Sequence, residues 1–395
     1  MNKLRTFLSL LGVMVGIFVI SSVFVVVDSM EDNLLESFDM LDDDVLFIQK
    51  WPWTFGEDYP WWKYIQRREP SMKDCRELES RLTAASAVAF QMKGMHDIEA
   101  GDNMMQNVPL AAVSHNFNEV ISLNLGVGRL FNVSESASGA PVVVIGSEVA
   151  KNLFGTEEAI GNKLKVKGVR LEVIGVLNKE GASIVSGGMD EFVMVPAVLG
   201  PKFFDRHNSE GNAILVKADE GSDLDALKNE IIQQFRSVRR VRPADADDFS
   251  VNQIDILTGM ISSIFSQVEI GGWFIAIFAI LVGCFSIANI MFVSVRERTR
   301  IIGIQKALGA KSIFILIQFL FESIALCVFG AILALLAIEF LILIINSAGL
   351  GIELRISVYR VCIAMSISVV SGLIAGIIPA LTAANMPPVE AIRMN

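Results

Sequence analysis

The sequence predicts an α-helical membrane protein: four transmembrane helices, with a mixed α+β extracytoplasmic domain inserted between the first and second helices and carried on a helical stalk. Three observations predict it. The 395 residues are 52% hydrophobic with a mean hydropathy of +0.52, too apolar for an ordinary soluble chain. Four apolar runs, Phe7–Val27, Ile270–Val293, Ile313–Ile345 and Tyr359–Ala380, each supply the ~20 residues that cross a ~30 Å hydrocarbon core. The stretch between the first two has soluble composition and is long enough for one large or two small domains.

The first helix is assigned to 1–27. Lys3 and Arg5 ahead of an apolar run also suit a signal peptide, but the run is long for one and no small-residue cleavage site closes it before Asp28, so a retained helix is expected. Residues 28–269 form the inserted domain. It begins with a stalk helix over 28–45, where Val27, Met30, Leu34, Phe38, Leu41 and Val45 recur at spacings of three and four. A second stalk helix over 252–269 carries Ile254, Leu257, Ile261, Ile264, Phe265 and Val268 on one face. Two helices continuing the first two spans and packing on each other is one reading; two unrelated surface helices is the other. Between them the periodicity changes to β-rich runs bounded by Gly, Asn and Pro. Pro141–Gly146, Lys163–Lys167 and Arg170–Val176 read as strands in a β-rich lobe near 122–200, with a short helix at Ser147–Phe154. Ala213–Lys217 reads as a strand, and Leu224, Leu227, Ile231 and Phe235 mark an amphipathic helix over Asp223–Phe235 in an α/β lobe built from the flanking segments. Of four cysteines, Cys284, Cys327 and Cys362 fall in spans, so Cys75 has no internal partner for a disulfide. Residues 270–395 hold the remaining spans (270–293, 313–345, 359–380) and a short segment, 294–312.

Charge orients these elements. The block 28–269 has 38 acidic against 23 basic residues, so against the chain's net −10 the remainder is net +5. Lys3, Arg5, the five cations between Arg296 and Lys311, and Arg393 then share one side, which the positive-inside rule makes cytoplasmic, with both termini there. In the segment VRERTRIIGIQKALGA (Val295–Ala310), Ile301, Ile304 and Leu308 have the spacing of a helix docked in a groove, with Arg296, Arg298, Arg300 and Lys306 as cations for an acidic partner. The alternative is that these cations only flank the spans and meet lipid headgroups. Gly309 suits a helix C-cap that ends the segment.

Glu322 and Glu339 lie inside the third apolar run, where carboxylates are functional candidates. Seventeen residues apart, they are separated by ~25 Å of helix, which leaves both near an interface. Glu322 could pair with the segment's arginines or with Asn289. Trp51, Trp53, Trp61 and Trp62 form an aromatic block that serves either as a contact surface for a peptide, lipid or partner or as small-domain core. Enzyme chemistry finds no motif: there is no G-x-x-x-x-G-K-[ST], H-E-x-x-H, paired C-x-x-C or G-x-S-x-G. His96, His115 and His207 are isolated, and His96–Asp97 with Glu99 and Asp102 reads as an exposed acidic loop rather than a metal site. No catalytic, cofactor-binding or metal-ligating residue is expected, and no nucleic-acid partner.

The loop VRERTRIIGIQKALGAK, the stretch LFESIALCVFGAILALL, the end GLIAGIIPALTAANMPPVEAIR, the start NKLRTFLSLLGVMVGI and the run GRLFN…GAPVVVIGSEVAKNLFGTEEAIGNKLKVKGVRLEVIGVL resemble the permease subunits of MacB-type ABC transporters, within the wider FtsX-like permease family. VRPADADDFSVNQ fits the segment before the family's second span. The resemblance covers nearly the whole chain in order. It implies a MacB-like periplasmic domain and an FtsX-like permease domain in a bacterial inner membrane, dimerised with an identical or related permease above two soluble ATPase subunits. ATP-driven closing would be relayed to the periplasmic domain without a conduit (mechanotransmission), with 294–312 as the ATPase-coupling segment and a periplasmic adaptor and outer-membrane channel as further partners. ATP hydrolysis is then expected on another chain. An FtsX-like regulator of an envelope hydrolase and a membrane-anchored sensor without an ATPase are the alternatives. The chain departs from the family pattern at Ile301, usually acidic, and at Gln305, usually basic; in Trp51–Tyr64, which matches nothing general; and in the near absence of an amphipathic helix before the first span, which suggests a shortened start.

Overall fold

A computed structural model describes residues 3–36, 44–54, 59–156, 159–179, 189–204, 211–348 and 353–388, with backbone only for 3–10. Phe38 and Leu41 of the expected stalk seam, His207 and Arg393 lie outside the described residues, as do the side chains of Lys3 and Arg5. The chain divides into two compact units, 1–33 with 262–395 and 34–261.

The elements follow in chain order. Helix α1 (Lys3–Glu36) leads to strand β1 (Val45–Gln49), helices α2 (Trp61–Tyr64) and α3 (Met72–Glu79), and the long hairpin β2 (Ala85–Ala100) and β3 (Asn103–Val113). Then come α4 (Phe117–Val120), β4 (Leu125–Gly128), α5 (Val133–Ser138), β5 (Val142–Ile145), α6 (Ser147–Phe154), β6 (Lys163–Val166), β7 (Val169–Leu177) and β8 (Val193–Pro196). After α7 (Gly200–Phe203), β9 (Asn212–Ala218), α8 (Leu224–Arg239) and β10 (Ser250–Gln253), the chain continues as α9 (Ile254–Glu297), α10 (Thr299–Ala307), α11 (Ser312–Ser347) and α12 (Val358–Asn385).

In the unit 34–261 one sheet runs β10-β1-β9-β2-β3-β8-β5-β7-β4, and β6 pairs with both β2 and β7. Strands β2, β3, β8, β5, β7 and β6 therefore form a closed ring of pairings, which removes free edges there. Pairs β3–β8 and β5–β7 are parallel, the latter reached through the crossover α6, which parallel strands require. Val143, Ile145, Leu164, Val166 and Leu171 pack with Val149 and Leu153 of α6 in one core. In the other half, alternation sorts β1 by face. Leu46 and Ile48 share a core with Cys75 of α3 and with Ile231 and Phe235 of α8, while Val45 and Phe47 join the opposite core.

The structure corrects several expectations. Residue 45 is on a strand, so the stalk helix expected over 28–45 overruns: Val45–Gln49 is a β-branched and aromatic run that pairs with β9 and β10. Asn252 likewise belongs to β10, and the second helix starts at Ile254. Met30, Ile264 and Val268 of the expected seams are exposed in the single chain. The β-rich region extends well before 122, because the hairpin β2–β3 joins both halves of the sheet. Its strands are rich in Ala and Met, which are weak strand signals, and its turn is a Gly101–Asp102 pair with Gly101 at φ 59°. His96 lies on β2, not in an exposed loop, and is buried with its ring 5.3 Å from that of Phe204.

In the other unit, α1 (from Leu11), α9, α11 and α12 are long and apolar enough to cross a membrane. They extend past the expected spans: α1 to Glu36, α9 from Ile254 to Glu297, α11 over 312–347 and α12 over 358–385. Small residues mediate the close contacts. A Cβ at Gly372 would stand 2.9 Å from Ile324 Cα, and one at Gly376 would stand 2.1 Å from Ser323 Oγ. Ser323 Oγ donates across this α11–α12 interface to the Gly372 carbonyl at 2.8 Å. Such contacts suit a solvent in which apolar surface alone gives helices no reason to associate.

Candidate functional site: the α10 segment and the ends of the last helix

Helix α9 ends at Glu297 and α10 begins at Thr299, with Arg298 between them at φ −101°, ψ 8°. Thr299 is buried and its Oγ1 donates to the Val295 carbonyl at 3.0 Å. One side of α10 is inward: Ile302 is buried in the core of the helical unit with Ile315, Phe319 and Ala383. The other side is open. Ile301, Ile304 and Leu308, spaced i, i+3, i+7, are 56%, 46% and 83% exposed. The helix closes in a Schellman motif, with Ala310 N–H donating to the Gln305 carbonyl and Gly309 N–H to that of Lys306, both at 3.0 Å. Gly309 takes φ 97°, a left-handed conformation that glycine adopts without a Cβ penalty.

The four cations of the segment divide. Arg298 Nη1 meets Glu322 Oε2 at 3.0 Å, fastening the start of α10 to α11. Lys306 Nζ donates to the carbonyls of Ala384 and, at 2.9 Å, Met386, neutralising the C-terminal end of α12. Arg296 and Arg300 are exposed and make no hydrogen bond or ion pair among the described residues. The expectation that all four face a partner is corrected accordingly: Arg298 and Lys306 are engaged inside the fold. Asn289 is exposed and does not join Glu322, and Glu339 is exposed as well.

The aromatic block also divides. Trp53 packs against Phe47 with ring centroids 5.1 Å apart, and its Nε1 donates to Gln49 Oε1 at 2.8 Å. Trp51 is half-buried edge-on to Tyr64, whereas Trp61 and Trp62 are exposed. Of the four proposed contact residues, Trp53 is thus part of the sheet's packing. Cys75 is buried in the core it shares with α8, and burial pushes its thiol up to about 12. Among the described residues no cluster of His, Cys, Asp and Glu could hold a metal.

A second charged group escapes sequence reasoning. Arg360, near the start of α12, donates from Nε and Nη2 to both carboxylate oxygens of Asp28 on α1, each at 2.7 Å, and from Nη1 to Glu269 on α9 at 2.8 Å. Its guanidinium lies over the Phe24 ring, 4.6 Å from the centroid. Asp28, Glu269 and Arg360 are charges at the ends of three of the four apolar runs, a pattern that leaves their pairing unspecified.

Against known sequences, the profile described as MacB-like periplasmic core domain matches residues 6–234, and that described as FtsX-like permease C-terminal matches residues 273–388. The chain belongs to the MacB-type permease family. It is 30% identical over 99% of its length to the macrolide export ATP-binding/permease protein MacB of Wolinella succinogenes, and 28% identical over 99% to that of Chlorobium luteolum. It spans 59% and 58% of those relatives' own lengths. The crystal structure of the periplasmic region of MacB from Actinobacillus actinomycetemcomitans aligns over 58% of this chain and 97% of its own, at 16% identity and a TM-score of 0.45. This MacB-type permease is a multi-pass protein of the bacterial inner membrane, with an α/β periplasmic-type domain between its first and second membrane helices.

Proposed function

We propose that this permease couples ATP hydrolysis on a separate ATPase polypeptide to a conformational change of its periplasmic domain, for export or envelope handling of a peptide, lipoprotein or small molecule. The chain itself is non-catalytic in this reading. Both termini are cytoplasmic, and the working unit is a dimer with an identical or related permease. The observation that carries the proposal is the division of α10. Arg298, Ile302 and Lys306 fix the helix to α11 and α12, while Ile301, Ile304 and Leu308, with Arg296 and Arg300, remain on the open side. A helix held rigidly by one face and presenting apolar anchors with cations on the other is built to take a load from an acidic groove.

The test is purification of the full chain from native membranes in mild detergent. A soluble ABC ATPase is expected to accompany it. Burying an aliphatic side chain is worth ~1.5–3 kcal/mol, so Ile304→Asp with Leu308→Asp is expected to weaken recruitment on the order of 100-fold or more while insertion persists. Unchanged recruitment would overturn the docking role.

A further inference from the structure

Helix α12 is gripped at both ends, and its two attachments serve different neighbours. At its C-terminal end, Lys306 of α10 holds the carbonyls of Ala384 and Met386. At the other end, ~36 Å of helix away at ~1.5 Å per residue, Arg360 holds Asp28 and Glu269 together. Those carboxylates stand on α1 and α9, the two helices through which the chain passes to the unit 34–261. Between its ends α12 lies directly against α11 at Gly372 and Gly376, where a Cβ would collide with Ile324 or Ser323.

The lead-in to α12 is fastened to α1 as well. Ser29 Oγ accepts from the Arg355 N–H at 3.0 Å, and Asn33 Nδ2 donates to the Glu353 carbonyl at 2.9 Å. A static neutralisation of one arginine needs one carboxylate. Here a single planar guanidinium uses its bidentate edge on one helix and its remaining Nη1 on another, so three helices meet at one side chain that is only 13% exposed.

We propose that Arg360 is the positioning residue through which α12 carries movement of α10 to α1 and α9 together, making α12 the connecting rod of the permease. This rests on the coupling reading above and names its route.

The experiment uses the full chain with its co-purified ATPase in lipid nanodiscs. Amide hydrogen exchange is compared without nucleotide and after trapping with ATP and vanadate. In the native chain, trapping is expected to alter exchange both in 299–307 and in the outer parts of α1 (28–36) and α9 (254–269). In Arg360→Gln the response at 299–307 and ATP hydrolysis should persist while the response at 28–36 and 254–269 is lost. Reversing the pair, Arg360→Asp with Asp28→Arg, should restore the response on α1 more than on α9. If Arg360→Gln fails to assemble, Arg360→Lys decides by the same readout, since an ammonium has no planar fork to engage both carboxylates and should weaken the outer response selectively. An outer response equal to the native one in an assembled variant, or a native response confined to 299–307, overturns the proposal. No accompanying ATPase, or no native response at 299–307, overturns the coupling reading and this route with it.

Discussion

The two units of this permease bury side chains by opposite rules. In the unit 34–261 the interior is made of large groups: Phe90, Phe203, Phe235, Leu46 and Ile48 are all fully buried. In the helical unit the buried positions of α11 and α12 are mostly Ala, Gly and Ser, while Phe321, Phe340 and Ile374 point outward. Water drives large apolar groups inward, whereas lipid does not, so membrane helices gain most where small residues let backbones approach. Charge follows no such contrast: each unit has a pair between near neighbours in sequence, Arg129–Glu135 and Arg355–Glu353, and pairs that join separate helices, Arg239–Asp74 in the sheet unit and Arg298–Glu322 and the Arg360 group in the helical one.

This contrast can be broken most forcefully in the sheet unit. Phe235 is fully buried and edge-on to Phe249, with centroids 4.8 Å apart, so Phe235→Ala is expected to cost ~3–5 kcal/mol of that unit's stability. Four of the five tryptophans lie in this unit, so urea unfolding followed by tryptophan fluorescence reads it; a loss under ~1 kcal/mol would show that the core there is not close-packed. In the helical unit the damaging change is an added methyl. Gly376→Ala, which collides with Ser323 Oγ, is expected to cost ~1–3 kcal/mol, read as a lowered midpoint of thermal unfolding in detergent. Gly271→Ala, with open space around its Cβ, is the control and should not lower it. If both glycine variants behave alike, small-residue contact is not what holds α11 to α12.

The smallest expected effect belongs to the surface pair. The hydrogen bond from Arg129 holds the Glu135 carboxyl below its ordinary value. A depressed folded value contributes stability above the unfolded value and loses it as pH falls through the folded one. Arg129→Gln should therefore reduce stability at neutral pH slightly, and the difference from the native chain should vanish in acid. A difference that grows toward acid pH would reverse the sign of this assignment.

Much of this architecture is legible in the residues themselves. The apolar runs mark the membrane helices because crossing lipid demands length and uniform hydrophobicity, both properties of consecutive residues. Pro141–Gly146 and Arg170–Val176 mark β5 and β7, and Gly309 marks the end of α10, since propensity and capping are local. The hairpin β2–β3 is not legible. Its buried positions include Ala87, Ala89, His96 and Ala100, small or polar residues made interior only by strands far along the chain. Nor is the fate of the cations: Lys306 looks like a docking residue until the end of α12 is placed beside it.

Local pattern is enough for the four spans, the inserted soluble domain, the basic segment between the second and third spans and the family. Periodicity and composition carry these, and each depends on residues within a turn or two of one another. Packing settles what local pattern leaves open: which charges remain for a partner, which are spent on the fold, and that Arg360 meets Asp28, 332 positions away. A hydrogen bond at 2.7 Å requires two backbones to be set side by side, and nothing in either neighbourhood of the chain encodes that placement.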